Sequence, residues 1–163
     1  MRIGHGYDAH RYGTGEKFVI GGVEIPCEFG MIAHSDGDVL AHAVMDALLG
    51  AAGLDDIGHQ FPDTEEKFKG ISSMELLKTV STLVKRANFR IEYIDCTIIA
   101  QVPKMSPYLE EMKINIARYA SLKPRQINIK ATTEENMGFT GAKEGIAAHA
   151  VCLLDELGHV SSF

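Results

Sequence analysis

Residues 38–52 read DVLAHAVMDALLGAA, and the fold turns on this stretch. Val39, Leu40, Ala43, Val44, Ala47, Leu48 and Ala51 recur at helical spacing, which predicts a helix over 38–52 with one apolar stripe. His42 reads as lying off that stripe, with Asp38 and Asp46 at i−4 and i+4 beside it. Upstream, residues 26–37 are rich in turn formers and end in Ser35-Asp36-Gly37. Downstream, residues 53–71 show no clean periodicity and carry Gly, Pro and Asp. An ordered loop of that length is more often functional than idle.

Further from the helix, residues 2–10 read as a strand entering a loop, with Gly4 and Gly6 keeping one side thin. Phe18 to Ile20 and Val23 to Ile25 form a predicted hairpin through Gly21-Gly22. Ser72-x-x-Glu75 is a capping box that opens a helix reaching Ala87. Phe89 to Gln101 alternates and is β-branched, so it reads as a strand. Ser106 as cap and Pro107 in the first turn start the next helix, which runs to Ser121. Ile127 to Thr132 is a strand, 133–144 a polar loop, and Gly145 to Leu157 a final apolar helix. The expected fold is one α+β domain over 1–163, a mixed β-sheet with helices mainly on one face. The other sheet face needs a cover, and a second subunit is the simplest one.

A chain of 163 residues fits one domain. At that size folding removes roughly 70% of the unfolded chain's accessible surface, so a core forms without staples. Net charge is −6 with no basic block, which argues against a nucleic-acid partner. An acidic chain that handles an anion must supply positive charge locally, from metal ions, helix N-termini or single lysines. Cys27, Cys96 and Cys152 are far apart and lack C-x-x-C pairing, which argues for a reducing compartment and against a thiolate zinc site. Cys96 and Cys152 sit in apolar runs and read as core. No apolar run approaches the roughly 18 residues of a membrane span, and the N-terminus lacks the apolar region of a signal peptide. The expectation is a cytoplasmic protein with no membrane partner.

Several polar groups carry candidate chemistry. Asp8 and His10 point the same way on a strand. With His42 they offer one carboxylate and two imidazoles, which leaves a fourth zinc position open. Asp38 or Asp46 is placed to hold the second nitrogen of His42 and fix its tautomer. The D-x-H spacing alone is a weak pattern and fits solvated polar residues better. His34, Ser35, Asp36 and Asp38 crowd the same helix start, where caps are ordinary but an anion also gathers. Asp55-Asp56-Ile57-Gly58 and Phe61-Pro62-Asp63-Thr64 suit a polyol, or a plain turn-rich connection. Lys104 before an expected helix N-terminus suits a phosphate or a pyrimidine edge, or is simply solvated. In Thr132-Thr133-Glu134-Glu135, followed by Gly138-Phe139-Thr140-Gly141, hydroxyls beside carboxylates can hold phosphate oxygens and magnesium together. The P-loop pattern is absent. Jointly these groups indicate two cations, a phosphate site and a small-molecule pocket.

The stretches RIGHGYDAHRY, IGGVEIP, AHSDGDVLAHAVMDALLGAAGLDDIGHQFPDTEEKFKG, DCTIIAQVPKM and NIKATTEENMGFTGAKEGIAAHAV span almost the whole chain. In them the chain closely resembles the 2-C-methyl-D-erythritol 2,4-cyclodiphosphate synthase family, the cyclising lyases of the non-mevalonate isoprenoid pathway. The resemblance implies a homotrimer with active sites between subunits. It implies Zn2+, one per subunit, on Asp8, His10 and His42, and Mg2+ or Mn2+ between the substrate phosphates with Glu135. The CDP-linked methylerythritol phosphate substrate would contact Asp8, His10, His34, Ser35, Asp56, Ile57, Gly58, Phe61, Pro62, Asp63, Thr64 and Glu65. Its cytidine would lie on the neighbouring subunit's Ala100, Gln101, Val102, Pro103, Lys104, Met105 and Ser106. Thr132, Thr133, Glu134, Glu135 and Phe139 complete the contacts, and His34 and Thr133 would act in catalysis. Relatives carrying Arg where this chain has Ala142 hold an isoprenoid diphosphate on the trimer axis, so weak binding is expected here. A metal-dependent phosphohydrolase and a non-catalytic nucleotide-binding module are the other classes to weigh. Fusion to a cytidylyltransferase occurs in some relatives, and the stand-alone form is expected here.

Overall fold

The computed structural model describes residues 1–14, 17–33, 35–62 and 70–158. Chain order begins with strands β1 (Arg2–Gly13), β2 (Val19–Ile20), β3 (Val23–Glu24) and β4 (Gly30–Met31). Helices α1 (Val39–Ala52), α2 (Ile57–Gln60) and α3 (Ser73–Arg86) follow. Then come β5 (Phe89–Ile99), α4 (Leu109–Tyr119), β6 (Ile127–Thr132), α5 (Gly138–Gly141) and β7 (Gly145–Glu156). The main sheet has the order β4-β1-β7-β5-β6, and β2 pairs with β3 in a separate ribbon. Only β5 and β6 run parallel; the other pairings are antiparallel, so the sheet is mixed as expected.

The predicted central helix forms as α1, capped by Asp38 and closed by Gly53 in the left-handed region at φ 73°. It is buried nearly all round, His42 included, because the sheet lies on one side and α3 on the other. His42 is therefore not off the packed surface, contrary to the sequence reading. Contact with β1 is close because Gly4 and Gly6 have no side chains: a Cβ on Gly4 would stand 1.9 Å from the Ala47 carbonyl oxygen. Cys152 of β7 donates to that same oxygen at 3.1 Å. The expected core cysteines are buried and free, and burial pushes the Cys96 thiol up to about 12.

Asp38 also grips the predicted hairpin. Gly21 and Gly22 sit at φ 57° and 69°, the positive values a tight two-residue turn requires. Their N–H groups donate to the two Asp38 carboxylate oxygens at 2.9 and 2.7 Å, and Ala41 N–H donates to Oδ1 at 3.0 Å. Asp38 is fully buried, so these bonds replace its lost hydration.

The expected last helix is instead strand β7. Ala-rich composition favours helix, but Ile146, Ala148, Ala150, Cys152 and Leu154 are buried at a period of two. The strand lies between β1 and β5, where ladders on both edges satisfy its backbone. Its alanines leave room for α1, so tertiary packing overrides propensity. Two smaller expectations change as well. Helix α4 begins at Leu109 with Tyr108 as N-cap, so Ser106 and Pro107 lie in the turn before it. Ser72 caps Met74 N–H, while Glu75 pairs with Lys78, so the reciprocal capping box is not made.

Helices α1, α3 and α4 cover one sheet face, with α3 packed on both α1 and α4. On the other, Ile3, Tyr7, Tyr93 and Val151 are exposed, with the His5–His149 pair at 3.0 Å among them. No helix among the described residues is long and apolar enough to cross a membrane.

Candidate functional site

Register brings the chemistry to one end of the sheet. His10 of β1 is opposite Ile146, Ala147 of β7 is opposite Ile99, and Ile99 is opposite Thr132 of β6. The ends of β1, β5 and β6 and the start of β7 thus share one rim.

At the β1 corner, the thin Gly4–Gly6 segment lets α1 approach until His42 meets the strand end. His42 Nδ1 lies 2.9 Å from Asp8 Oδ2, and His10 Nε2 lies 3.2 Å from the same oxygen. The two ring nitrogens are 3.2 Å apart. A tetrahedral zinc ion bound at about 2.1 Å spreads its ligands roughly 3.4 Å apart, so the triangle fits an ion after opening by a few tenths of an ångström. Among the described residues this is the one cluster of three or more such groups. Burial lowers the His10 pKa, although Asp8 opposes it. Burial also works against the His42 cation, but the hydrogen bond and charge of Asp8, with Asp38 and Asp36, leave its pKa raised. Two imidazoles and a carboxylate, half-buried and converging, are a donor set for a divalent transition metal.

The far side of His42 is held differently from the sequence expectation. Its Nε2 meets Ser73 Oγ at 2.9 Å and Ser35 Oγ at 3.3 Å, not Asp38 or Asp46. Asp38 is committed to the hairpin. Asp46 accepts from Ile57 N–H at 2.9 Å and so ties α2 to the helix carrying His42. Asp56 caps α2 and takes both His59 N–H and its ring Nδ1 at 2.9 Å. Those bonds lower the Asp56 pKa and raise that of His59. Ile57 and Gly58 lie in the helix, Phe61 closes it, and Pro62 follows. His34, Asp63, Thr64 and Glu65 lie outside the described residues.

The second group gathers at the ends of β5 and β6. Ala100 N–H donates to the Thr132 carbonyl at 3.1 Å, and Asn136 N–H to Gln101 Oε1 at 3.3 Å. Tyr12 Oη donates to the Val102 carbonyl at 2.6 Å, anchoring the segment that continues through Pro103. Burial pushes the Tyr12 phenol pKa up, so it stays a donor. Met105 is a core residue, while Lys104 and Ser106 are exposed. With α4 starting at Leu109, Lys104 does not stand at its N-terminus. Thr133 Oγ1 donates to Glu135 Oε1 at 2.9 Å, with Glu135 in the left-handed region at φ 52°. Glu134 turns away to accept from Thr140, and Phe139 is exposed. Thr132 is three strand positions from His10, about 14 Å at the usual strand spacing. Glu135 does not join the cluster of Asp8, His10 and His42.

Sequence reasoning missed Ser73 and misplaced Asp46. Ser73 read as the first helical residue after a cap. A doubled serine at a helix start, one more hydroxyl than capping needs, is the only local signal it leaves.

Fold and site together define a small α+β protein in which one carboxylate and two imidazoles form a candidate divalent-cation site, with polar loops along the same sheet rim. The model of the YgbB family matches residues 1–155, and the chain belongs to that family. A protein of Azotobacter vinelandii named 2-C-methyl-D-erythritol 2,4-cyclodiphosphate synthase is 56% identical over 154 residues, which is 94% of this chain and 98% of the relative. The bifunctional IspDF of Campylobacter jejuni superposes with TM-score 0.91 at 45% identity over 95% of this chain, which spans 42% of that longer protein. IspF of Plasmodium falciparum, solved as a CDP complex, gives TM-score 0.84 at 34% identity, covering 96% of this chain and 97% of that one.

Proposed function

We propose that the chain converts 4-diphosphocytidyl-2-C-methyl-D-erythritol 2-phosphate to 2-C-methyl-D-erythritol 2,4-cyclodiphosphate and CMP, as a phosphorus–oxygen lyase of the non-mevalonate isoprenoid pathway. The observation that carries this reading is the convergence of Asp8, His10 and His42 on one point, in a chain whose relatives bear the synthase name. The triad holds Zn2+, and Glu135 holds Mg2+ or Mn2+ at the substrate phosphates. When bound, the ions supply Lewis acidity at the β-phosphate and shield the departing CMP.

The chain's own residues hold the substrate folded on itself. Ser35 and the Asp56-Ile57-Gly58 turn take the methylerythritol phosphate end, with His34 and the Phe61-to-Glu65 segment beside it. The Ala100-to-Ser106 segment takes cytidine, and Thr132, Thr133, Glu134 and Phe139 border the phosphates. An oxygen of the 2-phosphate forms the new bond to the β-phosphorus. The bond from that phosphorus to the bridging oxygen breaks, and its electron pair leaves with CMP. The chain supplies no nucleophile; holding the two phosphates together supplies effective molarity. His34 and the Thr133 hydroxyl stabilise charge on the five-coordinate phosphorus.

The active protein is a cytoplasmic homotrimer with its sites between subunits. Two features support this. The uncovered sheet face exposes Ile3, Tyr7, Tyr93 and Val151. Within one chain the triad and the Thr133 loop stand about three strand spacings apart, and a neighbour's loop would close that gap. No nucleic acid or membrane takes part.

Zinc content and CMP release test the reading together. The unvaried protein should hold one zinc per chain and release one CMP per substrate. Asp8→Asn or His42→Ala should lose zinc and slow turnover by several powers of ten. Full zinc and near-normal turnover in either variant would sink the assignment.

A further inference from the structure

Ser73 is fully buried, yet both its proton and its oxygen lone pair are engaged. Its Oγ lies 2.5 Å from Asp36 Oδ1, its backbone N–H donates to Asp36 Oδ2 at 2.9 Å, and its Oγ lies 2.9 Å from His42 Nε2. An ionised carboxylate only accepts hydrogen bonds. The hydroxyl proton must therefore point to Asp36, which leaves the Ser73 oxygen as an acceptor facing the ring. His42 must then carry a proton on Nε2. Its Nδ1 lies 2.9 Å from Asp8 Oδ2, to which it donates when protonated, and 3.2 Å from His10 Nε2, so a metal ion there takes the place of that proton.

We propose that Asp36 and Ser73 are positioning residues of the metal centre, in which the carboxylate orients the hydroxyl and the hydroxyl fixes His42 with Nδ1 aimed at the ion. The inference rests on the metal-centre reading above and adds what sets the ligand's tautomer. Contacts of this kind behind a metal-ligating histidine fix ring orientation and raise ligand basicity. Here the contacts join two distant segments. Asp36 precedes α1, Ser73 opens α3, and His42 sits within α1, so the start of α3 is locked to the ligand it orients. Ser35 Oγ makes a longer contact with Nε2, at 3.3 Å, and also accepts from Gly37 N–H at 3.3 Å. Ser35 therefore does not replace Ser73.

Two readings test this, and neither is turnover. Long-range proton–nitrogen NMR of the zinc-loaded protein reports which His42 nitrogen is bound to the ion and which carries the proton. Competition with a chromophoric chelator reports zinc affinity. The unvaried protein should show the Nε2–H tautomer. Ser73→Ala should show a mixture and bind zinc about 10–100-fold more weakly, and Ser73→Thr should restore both by returning the hydroxyl. Asp36→Asn, whose amide can donate to the Ser73 oxygen, should show the same losses and carries the test should Ser73→Ala fail to fold. A folded Ser73→Ala or Asp36→Asn with an unchanged tautomer and unchanged zinc affinity would overturn the proposal. An unvaried protein that binds no zinc would defeat the metal-centre reading, whereas zinc binding unchanged by the variants would defeat this proposal alone.

Discussion

A Cβ built on Gly6 would stand 1.9 Å from the carbonyl oxygen of Ala43. That close approach of β1 to α1 is what sets Asp8 and His10 against His42. Gly6→Ala must push strand and helix apart by more than a side chain can absorb, because the blocking atom is backbone. Overpacking typically costs about 1–3 kcal/mol, and the upper end or beyond is expected here. Zinc content should fall along with stability, since the ligands separate. Urea unfolding and metal analysis check both. A change within ~0.5 kcal/mol, with zinc retained, would show that the contact yields.

Asp38 offers a stability test with a definite sign. Burial pushes its pKa up to about 6, with three backbone N–H bonds opposing. The folded-state pKa exceeds the unfolded value near 4, so the folded chain binds this proton more tightly. Its contribution to stability is complete below pH about 4 and is lost as pH rises through about 6. Against Asp38→Asn, which does not titrate, the wild-type advantage should shrink by about 2–3 kcal/mol across that window. Denaturant unfolding of both proteins at several pH values measures it. An advantage that stays flat or grows with pH contradicts the assignment.

Much of this was legible in the chain. The period of α1, the Gly21-Gly22 turn and the same-side pairing of Asp8 with His10 are local signals, and all formed. Strand β7 was not legible, because Gly145 to Leu157 is short-chained and apolar, and only its place between β1 and β5 makes it extended. The partner of His42 Nε2 was not legible either. Asp38 and Asp46 stand one turn away in sequence, but the hairpin takes one and Ile57 the other. Ser73 reaches the ring from 31 positions on, with no motif to announce it.

Shared sites make a prediction that needs two inactive proteins. His42→Ala removes a triad ligand, while Thr133→Ala with Lys104→Ala damages the loops on the far strands. Each alone should be nearly inactive. After verified subunit exchange, mixed trimers should recover part of the wild-type turnover, because some sites draw an intact half from each parent. No recovery would place the complete site within one chain.

The central claim is that the 2-phosphate of the substrate, not water, attacks the β-phosphorus. Phosphorus NMR of the reaction with the CDP-linked 2-phosphate substrate tests it most directly. The account predicts two mutually coupled signals from a cyclic diphosphate, growing in step with CMP and requiring divalent metal. CMP accompanied by an open-chain product with separate, uncoupled phosphates would identify a hydrolase, and no conversion at all would identify a binding protein; either result would contradict the account.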